Sequence, residues 1–282
     1  MAASPGRTTV VLARRGVLTQ RPKVVDAWYY MKRRHVIRCA GCICASLSLG
    51  PVGAQPQGAR IGVSGCFFSQ KTDAARGIVL KEGIYRRTTG DDGLNAKVNA
   101  ILFRTARAYG LDRDAYPAFR FLPPGADGGD GFASDAVEMQ PGTKGIVALN
   151  LGLLTTSQSE ELSLIGFEVI AGHEFGHIFQ MRKNYAEPLL VAGDGKAKLV
   201  ELHADFLAGW FMSKRGQIPN EILRHVVDAL FSRGDDSVGT PEHHGTKAER
   251  FTAVLQGYLR GGTTDSADGA AANGVAYLKE IT

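Results

Sequence analysis

Between Ala171 and Arg182 the chain reads AGHEFGHIFQMR, and two histidines in that stretch constrain what it can fold into. His173 and His177 stand four residues apart, which on a helix places them one above the other on a single face. Both imidazoles then address one point in space, the geometry of a pair of metal ligands. Glu174 lies about 100° further round such a helix, within reach of a water on that metal as its general base.

A catalytic zinc takes three protein ligands and keeps a further position open for water. The missing ligand is sought in Glu201-Leu202-His203-Ala204-Asp205, which begins 24 residues after His177 in a second helical stretch. Glu201 is the candidate, because His203, two residues along a helix, faces away from it. Asp205 lies one turn beyond Glu201 on the same face, where it can accept the second N–H of a ligating histidine and fix its tautomer. A third histidine in the pattern HExxHxxGxxH is excluded, since position 180 is Gln and position 183 is Lys.

HEFGHIFQ followed by ELHADFLAGWF resembles the gluzincins, zincins whose third ligand is a Glu on the next helix. The ExxAD segment is similar to that of HtpX-like and CAAX-prenyl-protease-like metallopeptidases, and also to the ELQAD-type segment of bacterial neutral zinc metallopeptidases. The latter group carries a Gly-Asp-Asp and then a His-Gly-Ser/Thr before an Arg, matched here by Gly234, Asp235, Asp236, His244, Gly245, Thr246 and Arg250. The resemblance spans about residues 90 to 260; the membrane helices of the HtpX-like group are not matched. It implies an α+β, zincin-like fold: a small sheet packed on an active-site helix, then a helical subdomain. It also implies one Zn²⁺ per chain, a peptide or protein substrate, and His244 rather than His243 as the donor to the oxyanion of the tetrahedral intermediate.

The remaining stretches fit such a domain. Asp91 to Tyr109 reads as an amphipathic helix, with Leu94, Val98, Ile101, Leu102 and Ala106 on one side. Gly77 to Tyr85, Ala118 to Leu122, Gly131 to Met139 and Gly145 to Asn150 read as strands between Gly, Pro and Asp turns. The resemblance implies that the edge of such a sheet adds an extended peptide as a strand, with Phe132 to Ala136 or Val147 to Leu151 in that part; the alternative is an ordinary hairpin. Ser157 and Glu160 form a capping box for the metal-bearing helix. Gly172 and Gly176 in that helix admit close approach of substrate or sheet, or simple packing. Residues 184 to 195 read as a loop, and Lys196 to Lys214 as the second helix. Pro219 opens another, and Thr246 with Glu249 caps the one that ends at Gly261. His243 and His244 precede that cap, and Arg250 either orients a ligand carboxylate or pairs at the surface. The domain is expected over residues 76–262, after a loose lead-in at 55–75, with 263–282 a tail.

The net charge of +5 and pI near 9.0 would suit a nucleic-acid binder, but the excess is local. Nine Lys and Arg against one Asp give residues 1–54 a net +8, so the rest carries −3. That front segment reads as an export leader from Met31: Lys32, Arg33, Arg34 and Arg38, a weakly apolar run, then Val52-Gly53-Ala54 before Gln55. Arg33-Arg34 loosely matches a twin-arginine signal, and the residues before Met31 are either a long basic region or an upstream mis-start. Cleavage after Ala54 gives a periplasmic or secreted protein with Cys66 as its one cysteine, no stable membrane span and no nucleic-acid partner. The alternative to a peptidase is a zinc-containing binding or chaperone-like protein of the cell envelope. The intact Glu174 argues for chemistry, because a structural zinc does not need it.

Overall fold

The computed structural model describes residues 68–69, 85–112, 116–124, 130–135, 141–155, 159–230 and 243–282. The leader, Cys66, the strand expected from Gly77 and the Gly234-Asp235-Asp236 segment lie outside the described residues, apart from Tyr85. The architecture is α+β, a small mixed sheet followed by a set of packed helices.

The sheet forms where the chain alternates β-branched or aromatic residues with turn residues. Strand β1 is Phe68–Ser69, β2 is Ala118–Leu122, β3 is Gly131–Ser134 and β4 is Ile146–Asn150, in the order β1-β3-β4-β2. β2 runs parallel to β4, pairing Phe119 with Val147 and Phe121 with Leu149, whereas β3 runs antiparallel to β4. β4 is buried along its whole length, as a strand covered on both faces must be. It is also hydrogen-bonded on both edges, so Val147 to Leu151 offers no free edge to a peptide and that expectation is corrected. β3 has β1 on its other side, with Phe68 opposite Ala133 and Ser69 opposite Ser134.

Helix α1 (Asp92–Ala108) opens with the Asp91 carboxylate accepting from the Leu94 N–H, and buries Val98, Ile101, Leu102 and Ala106. Helix α2 (Glu160–Arg182) is 23 residues long, about 35 Å. Its cap is Ser159, whose hydroxyl accepts from Leu162 N–H, two residues beyond the expected Ser157, which lies outside the described residues. From Ile165 to Gln180 it is buried all round, between the sheet on one side and helices on the other. Phe119 of β2 meets Phe175, and Tyr109 beside α1 donates its hydroxyl to the Gly172 carbonyl. A helix held this way cannot rotate, which is what fixed metal ligands need.

Helix α3 (Ala186–Ala192) replaces the expected loop; its Pro188 sits in the first turn, where no intrahelical N–H is lost. Helix α4 (Lys198–Ser213) returns along α2. Gly172 and Gly176 face Ala208, Phe211 and Ala204 of α4, so their smallness serves helix packing, not substrate. Helices α5 (Asn220–Leu230) and α6 (Lys247–Gly261) follow, the latter with the full Thr246/Glu249 capping box. α6 crosses α4 at backbone contact, since a Cβ on Gly209 would stand 1.9 Å from Val254 O and one on Gly257 1.9 Å from Phe206 O.

Residues 263–282 are not a tail in the structure. Ser266 caps helix α7 (Ala267–Ile281), which buries Ala267, Ala270, Ala271, Gly274, Tyr277 and Leu278 and packs on α4 within the same compact unit. Its core face is built of small residues, so the strong apolar periodicity that marks a helix in sequence is missing. No helix among the described residues is long and apolar enough to cross a membrane.

Candidate metal centre

α2 contributes His173 and His177, and α4 contributes Glu201 from its first turn; all three are buried. The two histidine Nε2 atoms are 3.0 Å apart, and the Glu201 oxygens lie 3.3 Å from His173 Nε2 and 3.4 Å from His177 Nε2. One ligand atom from each residue falls within 4.8 Å of the others, so the three can hold a metal ion. Donors at about 2.0–2.2 Å around a tetrahedral ion stand roughly 3.3–3.5 Å from one another, close to this spacing.

Asp205, one turn further along α4, lies 2.8 Å from His173 Nδ1, as the spacing in the sequence predicts for an orienting carboxylate. Arg250 on α6 grips the same carboxylate with two bonds, Nε to Oδ2 and Nη2 to Oδ1, each 2.8 Å. The guanidinium is buried, so the surface-pair reading of Arg250 falls away. Burial alone would raise the Asp205 carboxyl, but Arg250 and His173 outweigh it and hold the group below its ordinary range.

Gln180, which stands where the HExxHxxGxxH pattern has its Gly, is fully buried against His177. Its Oε1 lies 2.8 Å from His177 Nδ1, and its Nε2 lies 2.9 Å from both Val200 O and His203 Nδ1. His203 in turn places Nε2 3.0 Å from Ala271 O on α7 and stacks its ring on Tyr185. Burial drives His203 down to about 4, so it is neutral, and it lies on the far side of Gln180 from the three converging donors.

The electrostatics of this donor set call for a cation. With Asp205 and Gln180 occupying the Nδ1 atoms, both Nε2 atoms converge with a carboxylate in a site without solvent. Burial would push Glu201 up, yet the imidazoles around it, with His173 hydrogen-bonded to it, hold it well below the ordinary carboxylate range. Burial also opposes a charged His173, but Asp205 and Glu201 overcome it and raise that imidazole to about 10. His177 is pushed down by burial and by the His173 charge. The metal-free pair thus retains one proton in the place a metal ion suits, and the residues present fit the group. No protein-family model, curated protein or solved structure matches this chain.

Glu174 is buried on the same helix, with its Oε1 3.0 Å from where a Cβ on Gly131 would stand, so it faces the start of β3. His243 and His244 are buried on the segment leading into α6. His244 acts electrostatically on Glu201, and its Nε2 has no hydrogen-bond partner among the described residues.

The structure therefore brings together His173, His177, Glu201 and Asp205, sets Arg250 on Asp205, and adds Gln180 and His203. The signal for Arg250 was its place after the His-Gly-Thr run. For Gln180 it was helical spacing, since position i+3 from His177 shares that face.

Proposed function

We propose that this chain is a zinc-dependent peptidase of the gluzincin type, zincin-like in fold, exported as a mature chain beginning near Gln55. The observation that carries the reading is the buried convergence of His173, His177 and Glu201 with a separate carboxylate, Glu174, on the ligand helix. Two imidazoles and one carboxylate are a donor set of catalytic zinc. When bound, zinc supplies the Lewis acidity that makes water a competent nucleophile near neutral pH. His173, His177 and Glu201 hold it, and Asp205 and Gln180 aim the two imidazoles. Glu174 takes a proton from the attacking water and returns it to the leaving amine. His244 donates to the oxygen on which negative charge develops.

The test is Glu174→Gln in the chain starting at Gln55, assayed for zinc content and for cleavage of an unstructured protein such as casein. The variant is expected to hold one zinc per chain and to lose about 10² to 10⁴-fold in hydrolysis, the usual cost of removing a positioned base. Wild-type protein that carries zinc but cleaves no peptide under any condition would replace this reading with the envelope-binding one.

A further inference from the structure

We propose that helix α7 governs the ligating state of His177 through a relay of hydrogen bonds, from the Ala271 carbonyl through His203 and Gln180, which makes Gln180 and His203 positioning residues of the metal centre. The inference rests on the metal reading above and goes beyond it by assigning the C-terminal helix a part in the chemistry.

Donor and acceptor roles along the relay are set at both ends by main-chain carbonyls, which can only accept. Ala271 O lies 3.0 Å from His203 Nε2, so that nitrogen carries the hydrogen, and His203 Nδ1 is left as an acceptor. Val200 O lies 2.9 Å from Gln180 Nε2, so that atom is the amide nitrogen and not the oxygen. Its second hydrogen goes to His203 Nδ1 at 2.9 Å. Gln180 Oε1 is then the acceptor facing His177 Nδ1 at 2.8 Å, and His177 must donate there. His177 Nε2 is left with its lone pair, 3.0 Å from His173 Nε2. Each partner has one consistent role, so reversing any one hydrogen bond leaves two acceptors or two donors face to face in a buried site. That costs about 1–3 kcal/mol per unsatisfied group.

The packing holds the relay in register. His203 and Gln180 are fully buried. α7 approaches so closely that a Cβ on Gly274 would stand 2.8 Å from His203 Cδ2 and 3.0 Å from Nε2. Tyr185 stacks on the ring, with centroids 5.6 Å apart. His203 cannot turn without moving α7 or Tyr185.

The experiment is long-range ¹H–¹⁵N correlation on histidine-labelled, metal-free protein, together with zinc affinity by chelator competition and the visible spectrum of the cobalt-substituted form. The expected wild-type spectrum has His203 protonated on Nε2 and His177 on Nδ1. His203→Gln can accept from Gln180 and donate to Ala271, so it should keep the His177 tautomer, the cobalt spectrum and zinc affinity within about 3-fold. His203→Leu offers Gln180 no acceptor; it should lose about 10- to 100-fold in zinc affinity, the usual cost of removing an outer partner of a ligand, and alter the cobalt spectrum. The Gln variant and the wild-type tautomers decide the matter even if the Leu variant does not fold. The relay is overturned if His203 carries its proton on Nδ1, if His203→Leu binds zinc as wild type does, or if His203→Gln loses affinity as His203→Leu is expected to. A wild-type chain that binds no metal at all overturns the function proposed above, an outcome distinct from these.

Discussion

At the scale of single residues, the site stores charge that a metal must displace. His173 keeps a proton up to about pH 10 in the metal-free protein, because Asp205 and Glu201 outweigh the cost of burying the cation. Ligation needs that nitrogen bare, so binding expels the proton. The sign follows: below about pH 10, apparent zinc affinity rises with pH, by about tenfold per unit for one displaced proton. Titration calorimetry at neutral pH in buffers of different ionisation enthalpy should report about one proton released per ion bound. Release of none would mean that His173 is already neutral in the metal-free protein. A second residue-scale prediction concerns Arg250→Ala, which leaves Asp205 buried without its bidentate partner. A loss of about 3–5 kcal/mol in stability is expected from stranding such a charge, measured by denaturant unfolding of the metal-free protein. Arg250→Lys should recover only part of it, since an ammonium cannot match two parallel bonds.

At the scale of elements, the crossing of α4 and α6 decides whether Arg250 reaches Asp205 at all. Gly209 and Gly257 let the two backbones touch, and a methyl at either would have to push a carbonyl aside. Gly257→Ala should cost about 3 kcal/mol, the upper end of ordinary overpacking, and weaken zinc binding as Arg250 moves off Asp205. Thermal unfolding and metal competition on that variant check both. The strands β2 and β4 were legible as short runs between turn residues, and helices α1 and α2 and the Glu201 helix because each follows a period or carries a cap. The pair His173 and His177 was legible for the same reason, since i to i+4 spacing is a helical fact, and Glu201 was legible from its one-turn spacing to Asp205 on the next helix. The relay was not, because hydrogen bonds to the carbonyls of Val200 and Ala271 leave no trace in residue type. α7 was missed because its buried face is Ala and Gly until Tyr277 and Leu278 near its end. α3 was missed because Pro188 reads as a breaker unless its place in the first turn is known.

At the scale of the whole molecule, the centre ties together parts of the chain that are remote in sequence. α2 and α4 supply ligands, α6 supplies Arg250 and α7 supplies the Ala271 carbonyl. A metal bound to the folded form alone stabilises it in proportion to the logarithm of its concentration over Kd, about 4 kcal/mol at a thousandfold excess. Removing zinc with a chelator should therefore lower Tm by roughly 8 to 16 °C for a domain of this size, reversibly on adding the metal back. A Tm indifferent to chelator would show that metal, if bound, does not join the helices.

Two of the atoms that set the relay belong to the main chain, and this has a consequence for how the site responds to mutation. Every amino acid has a carbonyl, so Val200→Ala leaves that acceptor where it was. A scan of side chains will register Gln180 and His203 and pass silently over the two groups that dictate their roles. Only an alteration of the peptide bond itself, such as replacing one amide by an ester to weaken its carbonyl, would expose them. The information that fixes this part of the centre is thus held in helix position, and it can persist through sequence change at the very residues that supply it.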